Sequence, residues 1–123
     1  MPTFCKEERL YDRKYILLLQ KESQVFFNYP YTVKWMVSSE KREHISVLTS
    51  VPKRNFKNAV DRNKIKRFTK EAYRLNKENL INVAQEKDKS IVMMLLYSAK
   101  KIVTYKEAEN KIVLILQQIA NSL

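Results

Sequence analysis

Apolar residues alternate with polar ones in two stretches of the chain. In the first stretch, a period of two is typical of a strand with one buried face, and its apolar members are Tyr31, Val33, Trp35 and Val37. A second strand is predicted at His44–Val51, with Ile45, Val47, Thr49 and Val51 on one side. The polar link between them, residues 39–43, has an ordinary length for a hairpin connection. Pro30 precedes the first strand and Pro52 ends the second.

Three other segments show different periods. Leucines at helical spacing predict a first helix at Lys6–Glu22. The continuous apolar run Ile91–Tyr97 predicts a central strand that is covered on both faces. Thr104 and Glu107 form a capping box that opens a last helix, whose apolar stripe consists of Ala108, Ile112, Ile115, Leu116 and Ile119. This order of elements predicts an α+β fold, and the length favours one domain over residues 1–123.

Residues 53–77 carry most of the chain's positive charge. The segment has ten Lys or Arg and two acidic residues, a net +8 of the chain's +11. Helical spacing, with Asn58 as N-cap, gives it two sides. The apolar side, predicted to be buried, comprises Ile65, Phe68, Ala72 and Leu75. The opposite side presents Arg62, Asn63, Lys66, Arg67, Lys70 and Arg74. A local basic concentration usually binds a polyanion, although a merely solvated basic face is the alternative.

The chain contains no glycine, although average usage predicts about eight or nine. Glycine-dependent phosphate loops, dinucleotide-binding turns, nucleophile elbows and RNA-clamping GXXG loops are therefore excluded. Any left-handed backbone position must be taken by Asn or another tolerated residue.

No group of side chains indicates catalysis by the protein or a metal site. His44 is the only histidine and Cys5 the only cysteine, so neither has the partners that a metal site or a nucleophilic triad requires. Glu107 and Glu109 are interpreted as surface residues of the last helix. We therefore predict neither catalytic nor metal-binding residues in this chain.

The N-terminal segment reaches charge by its sixth residue and lacks an apolar signal region. The run Ile91–Tyr97 is far shorter than the roughly 20 residues that span a membrane. We therefore expect a cytoplasmic protein that does not bind membranes.

A motif in the basic segment is similar to one known family. Ala59-Val60-x-Arg62-Asn63-x-x-Lys66-Arg67, followed by Glu71-Ala72-Tyr73, resembles the signature of the bacterial ribonuclease P protein subunit. The resemblance extends to Ser50–Arg54 before the helix, to Glu8-Arg9-Leu10 and to Tyr29-Pro30. It covers essentially the whole chain.

The resemblance implies a fold and a function that the residues alone do not give. The family fold is an α-β-β-β-α-β-α sandwich, in which the basic helix forms an unusual left-handed βαβ crossover. Its first strand corresponds to residues near Val25–Asn28. The family assists a ribozyme that removes the 5′ leader of precursor tRNA, and the RNA subunit holds the active site and the catalytic Mg²⁺. The implied partners are this RNA and precursor tRNA, with no DNA expected.

The resemblance also assigns candidate binding residues. The motif positions implied to contact the catalytic RNA are Arg62, Asn63, Lys66 and Arg67. Charge and helical phase add Lys53, Arg54, Lys70 and Arg74. The implied cleft for the leader, between the sheet and the first two helices, contains Ile16, Gln20, Thr32 and Lys34.

The chain departs from the family pattern mainly in that cleft. Gln20 stands where an aromatic residue is common, Ser23 where a helix-ending glycine is usual, and Lys57 where a small residue is frequent. The first of these changes removes an expected base-stacking side chain. The alternative hypothesis is a structured-RNA-binding protein of the ribosomal or assembly type, which would bind RNA without supporting leader cleavage.

Overall fold

The computed structural model describes residues 24–38 and 45–123. In this part of the chain, four strands form one sheet in the order β1-β2-β4-β3. The strands are β1 Gln24–Asn28, β2 Tyr31–Ser38, β3 Ile45–Ser50 and β4 Ser90–Tyr97. The helices described are α1 Ala59–Asn76, α2 Glu78–Glu86 and α3 Tyr105–Ser122. The predicted first helix Lys6–Glu22 lies outside the described residues, together with Ser23 and His44.

The first two strands form a tight antiparallel hairpin. Their register places Gln24 opposite Trp35 and Asn28 opposite Tyr31. The turn between them contains a cis peptide bond from Tyr29 to Pro30, and the Pro30 carbonyl accepts a hydrogen bond of 2.9 Å from the Ser98 amide. The strand expected near Val25–Asn28 is therefore confirmed.

The most apolar strand takes the centre of the sheet, as its sequence predicts. β4 pairs antiparallel with β2 on one side and parallel with β3 on the other, and Ile91–Leu95 is buried throughout. The predicted hairpin between the second and third strands is wrong, because β4 lies between them. A strand that is apolar on both faces gains most from the central position, where both faces can be covered. The left-handed sense of the crossover from β3 to β4 stays a prediction.

Two of the described helices, α1 and α3, begin at the residues that their capping sequences predict. At α1 the side chain of Asn58 accepts a hydrogen bond of 3.0 Å from the Val60 amide. At α3 the Thr104 hydroxyl accepts one of 3.2 Å from the Glu107 amide. The short helix α2 was not predicted, and it is stabilised by burial of Leu80 and Ala84, one helical turn apart. Asp88, in the turn between α2 and β4, takes the left-handed conformation at φ 50°, as a chain without glycine requires.

The core lies between the helices and one face of the sheet. The α3 stripe of five apolar residues is buried as predicted. On α1 the buried set differs from the prediction, since it comprises Ile65, Phe68, Thr69, Ala72 and Tyr73. Leu75 is 43% exposed, because it falls just outside the arc that these residues define at about 100° per residue. Val37 is also exposed, at 41%, so the cover of this sheet face does not extend to the end of β2.

Buried tyrosines connect the sheet to the helices. The hydroxyls of Tyr31 and Thr69 share a buried hydrogen bond of 2.7 Å. Tyr97 packs edge-on against Tyr31 with 5.4 Å between ring centroids. The Tyr97 hydroxyl donates to the Lys101 carbonyl at 2.5 Å and accepts from the Val103 amide at 3.0 Å. These contacts fix α1 and the loop before α3 to the sheet.

The buried phenol of Tyr31 makes the fold sensitive to high pH. Desolvation raises the pKa of Tyr31 in the folded protein, so the unfolded chain loses this proton first, near the ordinary pKa of about 10. The contribution of Tyr31 to the free energy of unfolding is therefore fully present below about pH 10, and above that pH it decreases by up to about 1.4 kcal/mol per pH unit. We expect urea unfolding between pH 9 and 11 to show a shallower loss of stability for Tyr31→Phe than for the unaltered chain.

The matched control is Tyr29→Phe, because Tyr29 is 48% exposed. Its pH dependence should follow that of the unaltered chain. Equal slopes for all three proteins would contradict the role of Tyr31. Tyr31→Phe should also lower the free energy of unfolding at neutral pH by about 1–3 kcal/mol, because it leaves the Thr69 hydroxyl unsatisfied. The comparison therefore uses only the slope of the free energy of unfolding against pH.

Candidate nucleic-acid interface

The segment before α1 is attached to both the core and the helix. The Phe56 ring is buried and lies 5.8 Å from the Tyr97 ring, between centroids. The Arg62 Nη1 atom donates to the carbonyls of Phe56 at 2.7 Å and Lys57 at 2.9 Å. Arg62 thus joins the second turn of α1 to the segment that precedes it. A motif position that sequence reasoning assigns to RNA contact therefore also has a structural role.

The predicted RNA-contacting residues lie on the solvent side of α1 and in the segment before it. Four of them are well exposed, namely Lys53, Arg54, Asn63 and Arg67. The other four are half-buried, namely Arg62, Lys66, Lys70 and Arg74. The four half-buried residues follow one another at intervals of four, so they form a row along the helix. The basic side and the buried side of α1 are thus arranged as the helical phase predicts.

One residue of this row has its charge largely matched within the protein. Arg74 donates to Glu71 through Nε at 3.0 Å and through Nη2 at 2.5 Å. The hydrogen bond from Arg74 lowers the pKa of Glu71 below its usual value. An exposed ion pair of this kind stabilises a helix little. It does, however, reduce the positive charge that Arg74 can offer to a phosphate.

The face of the sheet that points away from the core carries two of the four candidate leader contacts. Thr32 and Lys34 lie on the face of β2 that points away from the core, and the Thr32 hydroxyl donates to the Ser98 hydroxyl at 2.9 Å. Register places Phe27 beside Thr32 and Val25 beside Lys34 on this face. Ile16 and Gln20 lie outside the described residues.

Sequence reasoning missed Phe27, which is 65% exposed. Its neighbour Phe26 packs against the core, opposite Val33. The sequence feature that could have identified Phe27 is the tight turn at Tyr29-Pro30. The strand register across this turn decides whether Phe26 or Phe27 lies on the same face as Thr32. An exposed aromatic ring on the same sheet face as a lysine is a suitable platform for an unpaired base.

Residues 24–38 and 45–123, which the structure describes, contain no cluster of three or more His, Cys, Asp or Glu that could hold a metal ion. Glu109 instead accepts hydrogen bonds from the Asn76 side chain at 3.2 Å and from the Tyr105 hydroxyl at 3.4 Å. No described helix is long and apolar enough to cross a membrane.

Comparison with known proteins finds one family along most of the chain. A family model described as ribonuclease P matches residues 4–120. The ribonuclease P protein component of Porphyromonas gingivalis strain W83 is 36% identical over 125 residues, with 99% of this chain and 91% of the relative covered. The same component of strain ATCC 33277 is 35% identical, with 96% of this chain and 87% of the relative covered.

The fold is that of solved ribonuclease P proteins. The protein from Thermotoga maritima superimposes with a TM-score of 0.71 at 23% identity, covering 90% of this chain and 96% of that one. The Staphylococcus aureus protein gives a TM-score of 0.65 at 24% identity, covering 94% of this chain and 96% of that one.

The contacts of Arg62 predict that it keeps the segment before α1 attached to the helix. Arg62→Ala should make the peptide bonds after Lys53, Arg54 and Lys57 more accessible to trypsin, because two charge-assisted hydrogen bonds to that segment are lost. Bonds of this kind contribute about 1.5–3 kcal/mol, so cleavage there should become about tenfold faster or more. Limited proteolysis with mass spectrometry measures this rate.

The control is Arg67→Ala, which removes the same charge from the same helix at an exposed position. It should leave cleavage in residues 53–57 unchanged. Equal rates for the two variants, at equal thermal stability, would show that Arg62 does not hold the segment.

Proposed function

Because the chain belongs to the ribonuclease P protein family, we propose that it binds the catalytic RNA through the basic side of α1 and the segment before it. It is a protein component of ribonuclease P, and thus part of an endoribonuclease holoenzyme that processes tRNA with an RNA partner. The observation that carries the proposal is the local charge of residues 53–77, a net +8 of the chain's +11, on a helix whose other side is buried.

The eight basic-side residues contribute in different ways to this proposed contact. Arg67 and Asn63 are exposed beside each other and reach phosphates or bases directly. An arginine binds a phosphate through two parallel hydrogen bonds, whereas Lys66 and Lys70 act as point charges. Arg62 keeps Lys53 and Arg54 in place through its contacts with the segment before α1. Arg74 contributes less, since Glu71 already pairs with it.

The leader of precursor tRNA is proposed to lie along β2, on the face of the sheet that points away from the core. Thr32 and Lys34 line this face, and the resemblance adds Ile16 and Gln20 from the first helix. Phe27 supplies an exposed ring on the same face. Phe27 can therefore stack on a base, which Gln20 cannot do because it has no aromatic ring. Stacking on a protein ring contributes about 1–3 kcal/mol per base and tolerates any sequence.

The chemistry is assigned to the RNA subunit in this proposal. The protein lowers the electrostatic cost of bringing the catalytic RNA and its RNA substrate together. The resemblance implies that the RNA subunit holds the Mg²⁺, and the described residues offer no cluster of their own for it. The proposed location is the cytoplasm, and the whole of residues 1–123 is proposed to form one ribonuclease P protein domain.

The proposed RNA contact is tested by precursor-tRNA cleavage with the cognate RNA subunit at low Mg²⁺. The unaltered protein should stimulate cleavage, and Lys66→Gln with Arg67→Gln should raise the protein concentration required. Each lost phosphate contact should also lower the slope of log K against log salt by about one. Arg74→Gln should lower this slope by less, because Glu71 matches its charge.

The matched control for this experiment is Lys111→Gln on α3, which lies beside Tyr29 and Leu114 and away from the basic side of α1. It should leave the slope unchanged. RNA binding without any stimulation of cleavage would favour the alternative of a structured-RNA-binding protein. Cleavage by the protein without the RNA subunit would contradict the assignment of chemistry to RNA.

The proposed leader surface predicts a substrate-specific defect for Phe27→Ala. The affinity of the holoenzyme for precursor tRNA with a leader should fall about five- to hundredfold, the effect of losing one stacked base. Affinity for mature tRNA should not change, because it has no leader. Equilibrium binding of the two RNAs to the assembled holoenzyme measures both effects.

The control is Val60→Ala, which removes an apolar side chain that is 71% exposed at the start of α1. It should leave the affinity ratio of precursor to mature tRNA unchanged. An equal loss of affinity for both RNAs with Phe27→Ala would show that this ring does not contact the leader.

A further inference from the structure

A cleft of about 460 Å³ lies between α1 and the beginning of α3. Its volume is within the range of about 300–1,000 Å³ that is typical of small-ligand sites. Most of its lining is apolar. The residues around it are Lys64, Arg67, Phe68, Glu71, Val103, Thr104 and Tyr105. Neither sequence reasoning nor the family resemblance assigned a role to this cleft.

The walls of the cleft are held in place by the protein core. The Phe68 ring is 8% exposed and packs edge-on against Tyr97, with 6.2 Å between centroids. The Val103 amide donates to the Tyr97 hydroxyl at 3.0 Å. Tyr105 is the first residue of α3, directly after the N-cap Thr104. The cleft is therefore formed before any ligand arrives, which lowers the entropic cost of binding.

The rim of the cleft is positively charged on the α1 side. Lys64 and Arg67 are both exposed there. The carboxylate of Glu71 also faces the cleft, but Arg74 binds both of its oxygens. Its negative charge is therefore matched, and the rim as a whole attracts anions.

We propose that this cleft binds one unpaired base of the catalytic RNA, which leaves its own stack and enters beside Tyr105. This inference rests on the proposed function of α1 as the surface that binds this RNA. Unpaired bases in RNA are commonly recognised by stacking on aromatic side chains, while nearby cations contact the adjoining phosphates. Tyr105 is 37% exposed and provides the ring, and Lys64 and Arg67 provide the cations.

The position of the cleft identifies the catalytic RNA, rather than the leader, as the source of the base. The cleft is lined by residues of the helical layer, including Arg67 of the motif side of α1. Thr32, Lys34 and Phe27 lie on the other face of the sheet. One RNA bound along α1 can reach the cleft without passing around the sheet.

The inference also gives Tyr105 and Lys64 a role that charge patterning overlooked. Tyr105 is an uncharged phenol at neutral pH, because the ordinary pKa of this group is about 10, and burial and the neighbouring Glu109 raise the pKa further. Stacking by a neutral ring adds affinity without adding to the salt dependence of binding. Lys64, by contrast, adds a phosphate contact and therefore increases that dependence.

The test is the affinity of the full-length protein for the cognate RNA subunit over a range of salt concentrations. Tyr105→Ala should weaken binding about five- to hundredfold, as expected for one stacked base, with an unchanged salt slope. Tyr105→Phe keeps the ring and should restore the affinity. Lys64→Gln should lower the slope by about one. Ile102→Ala is the control, because Ile102 is equally exposed at 37% but lies outside the cleft.

A second variant and a cross-link make the test independent of α3 stability. Val103→Trp should fill the cleft without changing charge, and it should weaken binding in the same way as Tyr105→Ala. A photoreactive benzophenone side chain at position 105 should cross-link to an unpaired nucleotide of the RNA subunit.

The possible outcomes separate this inference from the proposed function. Normal RNA affinity for Val103→Trp, or a cross-link to base-paired RNA, would overturn the cleft proposal alone. A defect confined to precursor-tRNA affinity would overturn the choice of RNA. Failure of the unaltered protein to bind the RNA subunit would overturn the proposed function itself.

Discussion

Burial of β4 on both faces is the constraint on which the rest of this fold depends. Ile91–Leu95 is apolar at every position, so it must be covered on both sides of the sheet. β4 therefore takes the centre, with β2 antiparallel on one side and β3 parallel on the other. Parallel strands cannot be joined by a short turn. The connection from β3 to β4 must cross the sheet, and α1 is the main element of that connection.

The position of the basic helix thus follows from apolar contacts on the side of α1 that faces the sheet. Ile65, Phe68 and Ala72 bury one side of α1, and this leaves the motif side facing outward. Tyr97, at the end of β4, then fixes several neighbouring parts at once. It contacts Phe56 before α1, Phe68 within it, and the backbone of the loop before α3. The supports of the site therefore converge on one buried ring.

Periodicity and capping residues predicted most of the fold, since both are local properties. The runs that became β2, β4, α1 and α3 each have a period or a cap that identifies them. The hairpin between the second and third strands was wrong, because strand order depends on a competition among all strands for the central position. Helix α2 was missed because it has only two buried residues and no capping side chain.

The candidate site was predictable to a similar extent. Helical phase identified the basic side of α1, and the pairing of Arg74 with Glu71 follows the i,i+3 spacing of neighbours on one helix. Two features depend on contacts that no spacing rule describes, namely the bonds from Arg62 to two carbonyls and the exposure of Phe27. Each is decided by how two segments meet in space.

The two proposed RNA surfaces lie on opposite sides of the molecule, and this arrangement has a mechanical consequence. The sheet and its helical layer separate the face of β2 that carries Thr32 and Lys34 from the outer side of α1, by on the order of 10 Å for each packed layer. On the proposed assignment, the protein is a spacer of fixed thickness between two negatively charged chains. It sets how closely they approach, so a change in core volume beneath α1 would alter the spacing of the two RNAs without altering a single residue that contacts them.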